Sequence, residues 1–253
     1  MSEITRLFGN RASAYASFRP QYPQALFAWL AANSPGQHRA LDIACGNGQA
    51  SRPLLGYFQQ VLACDGSPEQ LQAATDLTGV NAFAADAQAL PLADASLDLI
   101  VVAQALHWFA TPSFFAEVTR LLKPDGLFCA WCYSLLQIDD EFDSVLHAFY
   151  RNTLGDYWPQ GRASVDAGYS DIQLPFPQLV VPAFAIELEW DLPQLLGYLG
   201  TWSAVQKLEQ ASGRDPLIDL LPELEKAWGE PQRQRFVRWP LHFLAGIPAR
   251  PHQ

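Results

Sequence analysis

No stretch of this 253-residue chain is apolar for long enough to span a bilayer, and its opening residues, Met1-Ser2-Glu3-Ile4-Thr5-Arg6, lack the charged and apolar regions of a signal peptide. A cytoplasmic protein without membrane partners is expected. Cysteine is scarce. Four in a chain this long make no disulfide framework, and Cys45, Cys64, Cys129 and Cys132 all sit in apolar, strand-like surroundings that suit buried free thiols. Cys129-Ala130-Trp131-Cys132 has C-x-x-C spacing, but alternation along a strand sends its two thiols to opposite faces. No second Cys or His pair stands at finger spacing, so no metal is expected. Positive charge is short as well: Lys+Arg 16 against Asp+Glu 26 gives a net charge of -10 and a pI near 4.8. That balance argues against nucleic acid and for a small-molecule partner, although a few local arginines suffice to receive an anionic one. Internal repeats and low-complexity tracts are also missing.

What is present is an ordinary globular composition, 49% hydrophobic, with a clear rhythm between Arg39 and about Tyr133. Short apolar runs alternate with longer amphipathic ones, the pattern of repeated strand-helix units and a parallel sheet. Strands are expected over Ala40 to Ala44, Val61 to Cys64, Ala82 to Ala85, Leu97 to Ala103 and Gly126 to Tyr133. Helices are expected over Gln49 to Phe58, Pro68 to Leu77 and Pro112 to Leu122, with Ser67 and Thr111 as N-caps ahead of a first-turn proline. The class is therefore α/β, doubly wound and Rossmann-like. Residues 1–38, which include a helical Gln24 to Asn33, form a lid or cap ahead of a ligand-binding core at 39–135. Residues 136–253 bring a proline-rich change of texture, a strand from Ala183 to Trp190, helices at Pro193 to Gln210 and Pro216 to Trp228, and a last strand from Phe236 to Phe243. They complete the sheet and add substrate-cap insertions, giving one structural domain overall.

Chemistry concentrates at the expected strand ends. Leu41-Asp42-Ile43-Ala44-Cys45-Gly46-Asn47-Gly48-Gln49 is an apolar strand running into a loop whose glycines permit a tight turn and close backbone approach to a ligand. The following helix would offer free N–H groups and a positive dipole end to an anion. A triphosphate loop is excluded, because the lysine and hydroxyl of G-x-x-x-x-G-K-[ST] are missing. A dinucleotide site is not, since Gly46-x-Gly48-x-x-Ser51 nearly spells G-x-G-x-x-G and an acid follows about 20 residues on. That acid, Asp65, ends Val61-Leu62-Ala63-Cys64-Asp65 ahead of Gly66, where its carboxylate suits a ribose diol; it suits capping the helix at Pro68 as well. Nicotinamide and adenosylmethionine cofactors share the ribose, so Asp65 does not separate them. Ala84-Ala85-Asp86-Ala87 places a carboxylate and a backbone N–H for an adenine ring, and Leu97 to Ala103 ends in Gln104-Ala105-Leu106-His107-Trp108-Phe109, polar and aromatic at the sheet's carboxyl edge.

Taken together, the Asp42 to Gln49 loop, Asp65, Asp86-Ala87 and Gln104 to Phe109 resemble the class I S-adenosylmethionine-dependent methyltransferases of the type 11 group, especially the trans-aconitate methyltransferase-like branch. Tyr15, Arg19-Pro20, Tyr22-Pro23, Tyr198-Leu199-Gly200-Thr201-Trp202-Ser203-Ala204 and Trp239-Pro240-Leu241 extend the resemblance over most of the chain. It implies a seven-stranded, mostly parallel sheet with its last strand antiparallel, a helical cap, and S-adenosyl-L-methionine as cofactor. It puts Asp42, Ala44, Gly46, Asn47, Gly48 and Gln49 beside the methionine portion, Asp65 on the ribose, Asp86 and Ala87 at adenine, Gln104 near the amino acid end, Gly66 among the cofactor contacts, and Tyr15 and Arg19 closing over the cofactor. Many relatives carry glycine where Ala44 stands; alanine costs little there provided that φ is negative.

Methyl transfer from a sulfonium needs proximity, alignment and a dry pocket more than acid-base help. His107 is the candidate base if a hydroxyl must lose its proton, and equally a residue that orients Trp108 or the cofactor; a carboxylate acceptor, the family-level expectation, needs no base. Among eight tryptophans, Trp108, Trp131, Trp158 and Trp202 fall where a pocket rim or cap belongs. Aromatic rings there suit a sulfonium or an apolar substrate, though each also suits the core. Arg162, Arg151 and Arg19 are the candidate carboxylate readers, or solvated surface charges. A nicotinamide oxidoreductase and a non-catalytic adenosylmethionine-binding relative remain as alternatives.

Overall fold

The structure is a computed structural model and describes residues 20–74 and 77–248. Seven strands form one sheet in the order β3-β2-β1-β4-β5-β7-β6. They are β1 (Arg39–Ile43), β2 (Gln60–Asp65), β3 (Val80–Ala84), β4 (Leu97–Ala103), β5 (Leu122–Tyr133), β6 (Ala185–Trp190) and β7 (Arg235–Gly246). The pairs from β3 through β5 are parallel, with Leu41 opposite Leu62 and Ile100, and β7 runs antiparallel to β5 with Trp131 opposite Phe243. The expected doubly wound sheet with an antiparallel last strand is what the chain builds.

Alternation decides the two faces of the strands. Leu41, Ile43, Leu62, Cys64, Ile100, Val102, Phe128 and Ala130 share one buried cluster, and Phe114, Phe115, Val118 and Leu121 of the helix Pro112–Leu121 pack into it. Each fully buried leucine, isoleucine, valine or phenylalanine among them contributes about 1.5–3 kcal/mol. Asp42, Ala63, Val101, Cys129 and Trp131 are buried on the opposite face. There Trp131 meets Phe27 of the helix Gln24–Ala32 and, just ahead of that helix, Tyr22, with ring centroids at 6.5 and 5.4 Å.

The N-caps follow the sequence: the Ser67 side chain accepts from Gln70 N–H and Thr111 from Phe114 N–H. Two helices are shorter than the periodicity suggests. The segment Gln49 to Phe58 holds a helix only over Ser51–Leu54, and Pro68 to Leu77 only over Pro68–Ala73. Pro193 to Gln210 is divided into Leu192–Gly200 and Ser203–Ser212 by an unwound Thr201-Trp202.

The chain forms two compact units interleaved in sequence. Tyr22–Ser134, Ala163–Ala185 and residues 240–248 make one, which carries the parallel strands; Leu135–Arg162 and Ile186–Trp239 belong to the other, which is mostly helical. In the helical unit Phe142 packs edge-on against Trp228 at 5.5 Å, and Trp190, Tyr198 and Trp239 form an aromatic nucleus in which Trp239 Nε1 donates to the Tyr198 hydroxyl at 3.2 Å. Among the described residues no helix is long and apolar enough to cross a membrane, no group of three metal-ligating side chains occurs, and all four cysteines are buried outside any disulfide.

Candidate cofactor site at the carboxyl edge of the sheet

Strand order fixes where a ligand belongs. The chain leaves β1 toward β2 and leaves β4 toward β5, in opposite directions, so a crevice opens beyond the carboxyl ends of the adjacent strands β1 and β4. Both strands end in a non-glycine residue with left-handed backbone: Ala44 at φ 56° and Gln104 at φ 60°. The condition under which alanine costs little at position 44, a negative φ, is therefore not met. The chain must reverse sharply here, Cys45 N–H donating to Cys64 O at 3.0 Å and Gly48 N–H to Cys45 O at 2.9 Å, and alanine bears a cost of about 1–2 kcal/mol for it. Gly46 needs glycine for φ, at 52°, and not for room, since an added Cβ would meet nothing within 4 Å.

Asp65 ties this loop to the next. Its Oδ2 accepts from Gly46 N–H and its Oδ1 from Ser67 N–H, both at 2.9 Å. A carboxylate has about four acceptor positions, so two remain for a ligand's hydroxyls at this half-buried side chain. Asp42 is the electrostatic anomaly. It is 0% exposed, accepts a 2.5 Å hydrogen bond from Ser51 Oγ on Oδ2, and its Oδ1 has no partner among the described residues. Burial pushes its carboxyl up to about 7; the Ser51 hydrogen bond opposes this and the charge of Asp65 adds to it. Burial likewise raises the thiol of Cys45 and that of Cys64, the latter to about 12, which leaves neither as a nucleophile at neutral pH.

The helix expected to receive an anion on its dipole is a single turn, Ser51–Leu54, too short for much of a macrodipole. Acceptance of an anion here falls to the loop's own N–H groups. At the end of β3, Asp86 is exposed and its Oδ1 accepts from Gln88 N–H at 2.9 Å, an Asx turn that holds Ala87 at the edge; Gln88 Oε1 in turn accepts from Thr111 Oγ1 at 2.9 Å. After β4, Gln104 N–H donates to Trp131 O at 2.8 Å and a 3-10 turn follows over Leu106–Trp108. The His107 and Trp108 rings lie 4.7 Å apart between centroids, tilted at 43°, and Trp108 is 58% exposed.

One edge thus gathers Asp42, Ala44, Gly46, Asn47, Gly48, Gln49, Asp65, Gly66, Asp86, Ala87, Gln104, His107 and Trp108. Tyr15 and Arg19 lie outside the described residues. Trp131, expected near the acceptor, is 0% exposed and enclosed by Tyr22, Phe27 and Phe243, so its ring is core. Trp202 and Arg162 belong to the helical unit. There the Arg162 guanidinium lies 4.7 Å from the Trp158 ring and 5.3 Å from that of Tyr150, and its Nε donates to the Tyr150 hydroxyl at 2.5 Å; Trp202 packs edge-on against Tyr150 at 5.7 Å. Arg162 is thus an aromatic-stacked group and no freely solvated charge.

Two residues escaped the sequence reading. Ser51, the partner of Asp42, was visible only as the serine standing in for a third glycine. Tyr169, whose hydroxyl lies 3.4 Å from His107 Nδ1, sits 62 residues away in a segment without a motif.

Residues 41–130 match the family model described as a methyltransferase domain. A protein of Dictyostelium discoideum described as a methyltransferase is 32% identical over 225 residues, 87% of this chain and 86% of that one. A Saccharomyces cerevisiae protein described as an S-adenosylmethionine-dependent methyltransferase is 29% identical over 163 residues, 60% of this chain and 55% of its own length. A solved structure from Anaeromyxobacter dehalogenans, described as a type II methyltransferase, superimposes with a TM-score of 0.84 at 41% identity, covering 90% of this chain and 97% of that one.

Proposed function

Because this chain belongs to the class I S-adenosylmethionine-dependent methyltransferases, we propose that it transfers a methyl group to a small-molecule acceptor seated beside His107 and Trp108. The observation that carries this reading is the carboxyl edge of the sheet, where β1 to β4 each end in a residue suited to one part of the cofactor. Asp65 has acceptor capacity left for ribose hydroxyls, Asp86 and Ala87 are held together by an Asx turn for adenine, and Asp42 keeps a buried oxygen without a partner below the loop. S-adenosyl-L-methionine supplies an electrophilic methyl on sulfur. The chain's own part is to bind and align it: Asp42, Ala44, Gly46, Asn47, Gly48 and Gln49 hold the methionine portion, Asp65 the ribose and Gln104 the amino acid end, with Gly66 beside the cofactor as well.

A small acceptor is favoured over a nucleic acid by the net charge of -10, which repels a phosphate backbone. The carboxylate oxygen that the branch resemblance suggests would be methylated without any base, so what His107 does depends on whether the acceptor carries a proton. Calorimetric titration with S-adenosylhomocysteine is expected to give stoichiometric binding; absence of both heat and a thermal shift would overturn the reading. Substrate profiling that reads S-adenosylhomocysteine release is expected to find turnover on small acceptors and none on RNA or DNA.

A further inference from the structure

We propose that Asp42 lets the cofactor loop tell the charged methyl donor from its neutral product: S-adenosyl-L-methionine binds with release of the Asp42 proton, whereas S-adenosylhomocysteine leaves that proton in place. The site therefore favours the donor over the product more strongly as pH rises. The inference rests on the methyl-transfer reading above.

The unit that carries the parallel strands buries two aspartates of β1 and β4 almost completely, and it treats them differently. Asp98, 1% exposed, receives Lys123 Nζ at 2.8 Å, Arg39 N–H at 2.8 Å and His38 N–H at 3.2 Å. Burial opposes its charge, yet these donors more than offset that and hold its carboxyl below the ordinary range. Asp42, 0% exposed, has one of about four acceptor positions filled, by Ser51 Oγ at 2.5 Å, and its Oδ1 has no partner among the described residues. The groups around it that can carry charge are few. Asp65 and Cys64 stand at the end of β2, Cys45 in the loop, and Arg52 next to Ser51 in the turn that follows. Directly opposite Asp42, β2 and β4 present Ala63 and Val101. The helix Gln24–Ala32 on this face has no ionisable residue, and Tyr22 stands further along, against Trp131.

A residue that only packed at this place would serve better as an amide, which offers Ser51 the same oxygen and leaves no charge to bury. A carboxyl there gains a purpose when a positive charge arrives above the loop. The two ligands share the amino acid, ribose and adenine, so these cancel in a comparison. They differ by one positive charge, on the sulfur that bears the methyl. Through a dry loop with little screening, that charge favours the ionised carboxyl and draws its pKa down from the value near 7 set by burial. Binding of the donor then releases a proton, and its affinity rises as pH climbs through 7. When the methyl passes to the acceptor, the sulfur–methyl bond breaks with its pair left on sulfur. The positive charge is gone, Asp42 takes a proton back from water, and the preference for the bound ligand ends.

The test is calorimetric titration of the full chain, without acceptor, in phosphate and in Tris, two buffers whose ionisation heats differ and so report the protons exchanged on binding. At pH 7, S-adenosyl-L-methionine is expected to release up to about half a proton more than S-adenosylhomocysteine does. The ratio of the two dissociation constants, product over donor, is expected to grow about fivefold between pH 6 and pH 8. Asp42→Asn is expected to bind both ligands more weakly, with equal proton counts and a ratio that ignores pH. Ser51→Ala keeps the carboxyl but removes its one donor, so the rise in the ratio is expected at higher pH. Equal proton counts for the two ligands in the unsubstituted protein overturn the proposal even where neither variant folds. So does a pH-dependent ratio that survives Asp42→Asn or that does not move in Ser51→Ala. Failure of the unsubstituted protein to bind either ligand would instead remove the methyl-transfer reading itself.

Discussion

The two units of this chain use backbone conformation differently. Every described non-glycine residue with positive φ, namely Ala44, Ala95, Gln104, Asp125 and Tyr169, lies in the unit that carries the parallel strands. The helical unit turns its corners with glycine, at Gly161, Gly213 and Gly229, and caps its helices by rule: Asp139 on Phe142 N–H, a capping box between Asp191 and Gln194, and Asp215 on Leu217 N–H. Strain costs about 1–2 kcal/mol per left-handed residue and persists only where something else holds it. Its position in one unit, three times at or beside the sheet's carboxyl edge, separates the part of the molecule built to aim side chains from the part built to pack.

Glycine-to-alanine changes break that comparison most directly. At Gly168 a Cβ would lie 2.7 Å from His242 Cγ in addition to its left-handed φ, whereas at Gly213 it would meet nothing within 4 Å. Gly168→Ala is expected to cost about 3 kcal/mol or more, and Gly213→Ala only about 1. Urea unfolding of both variants measures the gap; equal losses would mean that the two units are not differently built.

Next in size is Asp42→Asn. In the folded chain the Asp42 carboxyl titrates near 7 against an ordinary 3.8, so between about pH 4 and pH 7 the folded state holds a proton that the unfolded state has released. Stability from this group is then complete below pH 4 and is lost as pH rises through 7. Asparagine removes the slope while Ser51 Oγ keeps an oxygen to donate to. The variant free of cofactor is expected to match the parent near pH 4 and to exceed it by a margin that grows up to pH 8, with weaker S-adenosylhomocysteine binding. Parallel pH–stability curves for the two proteins would contradict the buried charge.

Asp65→Ala removes the ribose acceptor and the anchor for Gly46 and Ser67 together, so the dissociation constant for S-adenosylhomocysteine should rise at least tenfold, about 1.4 kcal/mol. Calorimetry reads it directly. The smallest effect, and one of opposite sign, belongs to Ala44→Gly. Relief of a left-handed alanine should stabilise the chain by about 1 kcal/mol, net of the greater freedom glycine gains on unfolding. A loss of stability would show that the alanine methyl packs usefully in the turn.

Much of this was legible in the residues. Alternating apolar runs predicted the sheet, Ser67-Pro68 and Thr111-Pro112 marked two helix starts, and the spacing from Asp42 to His107 brought the candidate residues to one edge. Two kinds of information were not legible. The sign of φ at Ala44 is set by the path of the turn and leaves no mark on an alanine, and the single helical turn at Ser51–Leu54 reflects a chain bound for β2 that the apolar spacing of Leu54, Leu55 and Phe58 does not reveal. Contacts distant in sequence escaped for a simpler reason. Trp131 reads equally well as rim or core until Tyr22, Phe27 and Phe243 close around it, and Tyr169 has no local pattern linking it to His107.

The antiparallel pairing of β5 with β7 governs how the sheet comes to exist in time. Ser134 and His242, hydrogen-bonded at 3.2 Å where that pairing ends, are 108 residues apart in the chain. During synthesis the flank of β5 must wait, with its backbone groups unpaired, while the intervening segment emerges at about 5–20 residues per second. For several seconds the nascent protein carries an open apolar edge that invites pairing with a neighbour, so its yield in a cell should depend on chaperone supply and translation speed more than its final stability suggests.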